Sequence, residues 1–165
     1  MPGSTARQKR YLKPGDLWVA REPTLVTTVL GSCVSITLFG PRLRAGAICH
    51  ALLPEGECEA RDPKSFRFLN CAFEHMLEGL EGLGLAREEI QAKAFGGALG
   101  VSPGGGRFGV GTRNAELARS LLADAGLRLA ASDLGGTQGR KLLFYTDTGE
   151  VFIRLLRGGA PQQLG

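Results

Sequence analysis

A cysteine after a small turn and a histidine in a neighbouring β-type run could together supply a nucleophile and its base. The first run reads Thr27-Thr28-Val29-Leu30-Gly31-Ser32-Cys33-Val34-Ser35-Ile36-Thr37-Leu38-Phe39, and the second ends Ala45-Gly46-Ala47-Ile48-Cys49-His50. A hairpin turning between Pro41 and Arg42 would set Cys33 directly opposite His50. Opposed residues on an antiparallel pair have Cβ atoms roughly 4.5–5.5 Å apart and share a face. A thiol in reach of an imidazole can be activated to attack a carbonyl carbon. Gly31-Ser32 adds a turn able to aim consecutive backbone N–H groups at one point. The residues alone leave two readings of Cys33 open, a small buried hydrophobe or a nucleophile. His50 has its own plain alternative, a neutral core histidine bonded to a backbone carbonyl.

The remaining elements must position this pair. Val34, Ile36 and Leu38 alternate with Ser35 and Thr37, the period of a half-buried strand. Further strands are expected at Leu17–Ala20, Leu25–Val29, Gly46–Leu52, Ile90–Phe95, Leu127–Ser132, Lys141–Thr146 and Val151–Leu156. Asp62-Pro63 should open a helix whose apolar face runs from Phe66 to Leu83 and which stops at Gly84. Asn114 is expected to cap a second helix that ends at Gly126. Seven or eight strands with two principal helices predict a single-domain α+β fold, a layered sandwich with mainly antiparallel or mixed sheet. Residues 1–10 are expected to be a flexible basic tail, 11–157 the folded domain and 158–165 a second tail.

With 165 residues and 43% hydrophobic content the chain can bury a real core. A net charge of +4 and a pI of 9.1 are mild, and no basic stripe with interleaved aromatics argues for nucleic acid. No apolar run approaches the ~18–20 residues of a membrane span, and the basic N-terminus lacks an apolar signal core, so a cytoplasmic location is expected. Four cysteines in such a chain are expected to be free thiols. A zinc site built from Cys33, Cys49, His50 and Cys58 would need opposite strand faces to converge, and no phosphate-loop motif occurs, so neither metal nor cofactor is expected.

Five blocks and one histidine together resemble the chemoreceptor glutamine deamidase family CheD. They are Thr-Val-Leu-Gly-Ser-Cys-Val at 28–34 with the histidine at 50, Leu-Pro at 53–54, Phe-Gly-Gly-Ala at 95–98, Gly-x-Arg-Asn at 111–114 and Asp-x-Gly-Gly-x-x-Gly-Arg at 133–140. The resemblance implies an α/β sandwich and a triad of Cys33, His50 and Thr27, with Gly31 and Ser32 supporting an oxyanion. It further implies hydrolysis of glutamine side chains on methyl-accepting chemotaxis receptors through a cysteine thioester, and a CheC-type receiver phosphatase as partner. A purely regulatory role bound to that phosphatase, or another thiol hydrolase such as a peptidase or transglutaminase, would use the same residues. Cys49, Cys58 and Cys71 lie outside the family pattern.

Overall fold

Strand β4 (Val34–Gly40) is buried along its whole length, because it lies at the centre of one of two five-stranded sheets. The structure, a computed structural model, describes residues 6–59, 62–99, 109–156 and 162–163. Its elements are β1 (Gln8–Tyr11), β2 (Leu17–Ala20), β3 (Thr24–Leu30), β4, β5 (Ala45–Cys49), α1 (Leu69–Gly82), β6 (Gln91–Gly96), α2 (Val110–Asp124), β7 (Leu129–Leu134), β8 (Arg140–Tyr145), β9 (Val151–Leu155) and β10 (Gln162–Gln163). One sheet has the order β1-β3-β8-β9-β10 and the other β2-β5-β4-β6-β7. Both are mixed: β1 runs parallel to β3 and β7 parallel to β6, while the remaining pairs are antiparallel.

Alternation divides the core in two. Val34, Ile36, Leu38, Ala45, Ala47 and Cys49 face the helices, meeting Leu69, Phe73, Met76 and Leu80 of α1 and Ala118 and Leu122 of α2. Ile48 and Phe95 point the other way, onto Val26, Leu30, Leu142 and Phe144 of the first sheet. The result is helices on sheet on sheet, the expected α+β sandwich. Burying one such large apolar side chain contributes roughly 1.5–3 kcal/mol, so the two-faced β4–β6 region holds all three layers together.

Small residues let α2 approach closely. A Cβ on Gly111 would come within 2.1 Å of the Ala98 carbonyl oxygen, a contact only glycine permits. Asn114 is therefore brought down onto the strand loops. It does not cap the helix, as expected from its residue type; the N-cap is Gly109, and Asn114 sits fully buried one turn inside.

Two more expectations change. Gln8, Lys9 and Arg10, expected in a loose tail, form an edge strand with Tyr11; main-chain pairing with β3 holds it, aided by Arg7 on Asp147 (2.8 Å) and Arg10 over the Trp18 ring (4.0 Å). Residues 1–5 and most of 158–165 lie outside the described residues, except that Gln162–Gln163 pair with β9. The 62–83 helix is split: Asp62 caps a 3-10 turn over Pro63–Arg67, accepting from the Lys64 N–H at 2.9 Å, and α1 begins only after the extended Phe68. Among the described residues no helix is long and apolar enough to cross a membrane.

Candidate active site

The β4–β5 hairpin brings Cys33 and His50 onto one face, but in a register two residues from the expected one. Gly40 pairs with Ala45, Thr37 with Ile48 and Val34 with Ala51, which sets Ser35 opposite His50 and Leu52 opposite Cys33. The connection is a four-residue turn, Pro41–Arg44, closed by the Arg44 N–H to the Pro41 carbonyl at 3.2 Å, with Arg44 in the left-handed region at φ 52°. A shift of two preserves the side-chain face. Cys33 and His50 are thus diagonal neighbours, with Cβ atoms roughly 7–8 Å apart or somewhat less, a separation that longer side chains span. Both belong to the gap between the sheets, His50 two residues beyond Ile48 and Cys33 packed on the inter-sheet cluster.

His50 is held from three sides. Its backbone N–H donates to the Asp16 carbonyl at 3.0 Å, and its carbonyl accepts from the Gly15 N–H at 2.8 Å. That turn is closed by the Lys13 N–H on the Asp16 carboxylate at 2.9 Å. Its ring Nδ1 lies 2.7 Å from the Thr28 hydroxyl oxygen, which also lies 2.7 Å from the Leu12 carbonyl. The Leu12 carbonyl can only accept, so the Thr28 hydroxyl donates to it and accepts from Nδ1–H. Nε2 then keeps its lone pair, the tautomer a general base requires.

The hydroxyl on the imidazole belongs to Thr28 and not to Thr27. On β3 the side chains of Val26, Thr28 and Leu30 turn inward, and Leu25, Thr27 and Val29 turn to the other face. Thr27 contributes through its backbone: its carbonyl accepts from the Leu12 N–H at 2.9 Å, fixing the strand whose next carbonyl anchors Thr28.

Around Cys33 three successive carbonyls are tied down. That of Gly31 accepts from the Ala98 N–H (2.9 Å), that of Cys33 from the Gly97 N–H (2.9 Å) and that of Ser32 from Asn114 Nδ2 (3.0 Å). In a trans peptide the N–H points away from the preceding carbonyl, so these bonds orient the Ser32 and Cys33 N–H groups. Among the described residues the Ser32 N–H has no acceptor, and the Cys33 N–H lies toward its own sulfur, so both are oriented beside the thiol. Gly96 is essential to this arrangement: it has φ +106°, and a Cβ there would sit 2.2 Å from the Cys33 carbonyl oxygen.

Asn114 is also a site residue, although asparagine near a helix start reads from sequence as a cap. Its Nδ2 bonds both the Ser32 and Leu52 carbonyls at 3.0 Å, clamping the cysteine loop to the segment after His50. Removing the amide would leave two part-buried carbonyls without this donor, at ~1 kcal/mol each, the low end of the cost of an unmade bond. Asn114→Ala is accordingly expected to lower stability by about 2 kcal/mol or more, read as a fall in urea midpoint, and to slow turnover through the loosened loop.

The electrostatics favour a neutral resting pair. Burial pushes the Cys33 thiol up, partly offset by a backbone hydrogen bond. Burial also pulls the His50 imidazole down, against the Leu12 carbonyl and the Asp16 charge, which pull it up. Cys49 faces the helices, wholly buried, and its thiol is pushed up to about 12; it is a packing residue. Cys58 and Cys71, expected as free thiols, are joined in a disulfide between the loop and α1, because the loop after Leu53 folds back over the start of that helix. Among the described residues no group of side chains gathers to hold a metal ion.

A family profile described as "CheD chemotactic sensory transduction" matches residues 52–155. Its span begins just after His50, so it does not itself reach the thiol and imidazole. Whole-chain relatives do more. The chain is 50% identical over 146 residues (88% of this chain, 89% of the relative) to a probable chemoreceptor glutamine deamidase CheD 2 of Geobacter sulfurreducens. It is 40% identical to a probable chemoreceptor glutamine deamidase CheD of Maridesulfovibrio salexigens, across 94% and 97% of the two chains. To a protein of the same description in Archaeoglobus fulgidus it is 38% identical, across 88% and 92%. Similarity of this depth along both chains leaves one assignment: the chain belongs to the CheD family.

Proposed function

We propose that this protein hydrolyses glutamine side chains of methyl-accepting chemotaxis receptors to glutamate, with Cys33 as nucleophile, His50 as base and acid, and Thr28 as positioning residue. The reading rests on the Leu12–Thr28–His50 relay, which leaves Nε2 as the unprotonated ring nitrogen of a histidine on the face that Cys33 shares. The relatives, named as probable chemoreceptor glutamine deamidases, supply the substrate class.

In the first step Nε2 takes the thiol proton as Sγ attacks the carboxamide carbon. The resulting oxyanion accepts hydrogen bonds from the Ser32 and Cys33 N–H groups, a type of contact worth about 3–4 kcal/mol when one donor is lost. The His50 imidazolium then protonates the amide nitrogen, and ammonia leaves behind a thioester. Neutral again, His50 takes a proton from water as its oxygen attacks the thioester. Collapse of the second tetrahedral species returns the proton to sulfur and releases glutamate. Net, one water is consumed and one ammonia formed.

Thr28 and Thr27 provide the sharpest check on the positioning role. Thr28→Val removes the acceptor for Nδ1–H and should lower kcat roughly 10- to 100-fold, with its acid limb displaced; Thr28→Ser should restore most of the rate. Thr27→Val, on the outer face, should stay within about two-fold of wild type. Equal losses in both valine variants, measured as steady-state ammonia release, would remove Thr28 from the scheme.

Complex formation with a CheC-type receiver phosphatase is a second part of the proposal, resting on the family resemblance. Co-elution of that phosphatase with the Cys33→Ser protein would separate docking from turnover. Absence of a complex at micromolar concentrations would dismiss it.

A further inference from the structure

The Cys58–Cys71 disulfide opens onto a groove of about 410 Å³ whose walls also carry His75, Glu59, Glu74 and Glu78. His75 lies one helical turn beyond Cys71 on α1, the i,i+4 spacing that makes side chains neighbours on a helix surface. Its ring rests on Phe66, centroids 4.6 Å apart. The Cα atoms of the two cysteines are 5.4 Å apart, close enough for both sulfurs to reach one ion. Asn70 supports the loop, its amide bonding the Gly56 N–H and carbonyl at 3.0 Å each, and its Nδ2 lies 3.6 Å from the Cys58 sulfur. An amide N–H directed at a sulfur stabilises that sulfur as a thiolate.

With the disulfide closed, neither sulfur can ligate, and no metal cluster exists among the described residues. Opening it changes the donor set. We infer that the reduced protein binds one zinc ion through the Cys58 and Cys71 thiolates and the His75 imidazole, with one of the three glutamates or a water completing a tetrahedron. Two thiolates, an imidazole and an oxygen suit borderline-soft Zn²⁺ and disfavour Mg²⁺ or Ca²⁺. The chemistry balances: a dithiol reductant supplies two electrons and two protons, breaking the S–S bond to two thiols and itself becoming a disulfide. The incoming ion then displaces both thiol protons to solvent. Disulfide and metal thus become alternative staples between the segment around Cys58 and α1.

The test uses full-length protein carrying Cys33→Ser, so that the active-site thiol cannot contribute. It is reduced with a dithiol, freed of reductant under anaerobic conditions and titrated with Co²⁺ as an optical probe. One equivalent should give the intense visible bands and sulfur-to-metal charge transfer of a tetrahedral thiolate site, and one equivalent of Zn²⁺ should erase them. The oxidised protein should give none. Cys58→Ser should abolish the charge-transfer band or weaken affinity by at least 100-fold. His75→Ala, at an exposed position that leaves the fold intact, should weaken it more than the roughly 10- to 100-fold typical of losing an outer-shell partner. No bands in the reduced protein, equal bands in the oxidised protein, or unchanged affinity in either variant would overturn the assignment.

Discussion

Cys33→Ser should abolish ammonia release from receptor glutamines, a fall on the order of 10⁴-fold or more in kcat, while the melting temperature hardly moves. A serine hydroxyl is nearly isosteric with the thiol but a far weaker nucleophile near neutral pH, and losing a nucleophile that acts as a unit with its base removes most of the chemistry. The unchanged stability matters as much as the lost rate. Cys33 is half-buried at the head of β4, and a merely packed cysteine would give the opposite pattern, with activity kept. Stopped assays of ammonia alongside thermal melts separate the two outcomes.

His50→Ala should cost roughly 10²–10⁴-fold, and its wild-type pH profile carries the more specific claim. Burial depresses the imidazole and raises the thiol, so the pair rests as thiol and neutral imidazole. The active form holds one proton between the two groups. As pH falls, activity is lost when His50 binds a second proton; its pKa is depressed, so that limb lies below the ordinary histidine value of about 6.5. As pH rises, activity is lost when the last proton leaves, above the ordinary thiol value of about 8.5. A broad plateau across neutrality is expected. Alkylation of Cys33 by iodoacetamide should climb steeply toward high pH. A rate already maximal at pH 6 would mean a preformed thiolate–imidazolium pair, and would contradict the neutral resting state.

What could be read from the sequence follows the range of each signal. The period-two alternation in β4 assigns Cys33 to the face of Ser35 and Thr37, and side-chain parity survives a shift of two in register; that this face lies between two sheets is seen only in the fold. The true register depends on how tightly Pro41–Arg44 turns, and Arg44 in a left-handed conformation is not announced by its residue type. Thr27 is implied by the family resemblance alone, and no sequence pattern distinguishes it from Thr28, although adjacent strand residues face opposite ways and only the Thr28 hydroxyl lies on the His50 ring. The small-residue face of α2 and the glycines at 96 and 111 were visible as composition, but their purpose is a close approach between distant segments. Asn114 bonds carbonyls 62 and 82 residues away, a pairing no local pattern encodes. The Cys58–Cys71 disulfide and the basic edge strand β1 were hidden for the same reason, each being fixed by a partner elsewhere in the chain.

The central claim is a thiol-dependent exchange of a glutamine amide nitrogen for oxygen. Its most direct test is peptide mass mapping of a receptor cytoplasmic segment incubated with wild-type protein and, in parallel, with Cys33→Ser. Wild type alone should give a gain of about 1 Da at particular glutamines, with no chain cleavage, since only an amide nitrogen is replaced. An equal gain with Cys33→Ser, cleaved or cross-linked peptides, or unmodified glutamines with wild type would contradict the central claim.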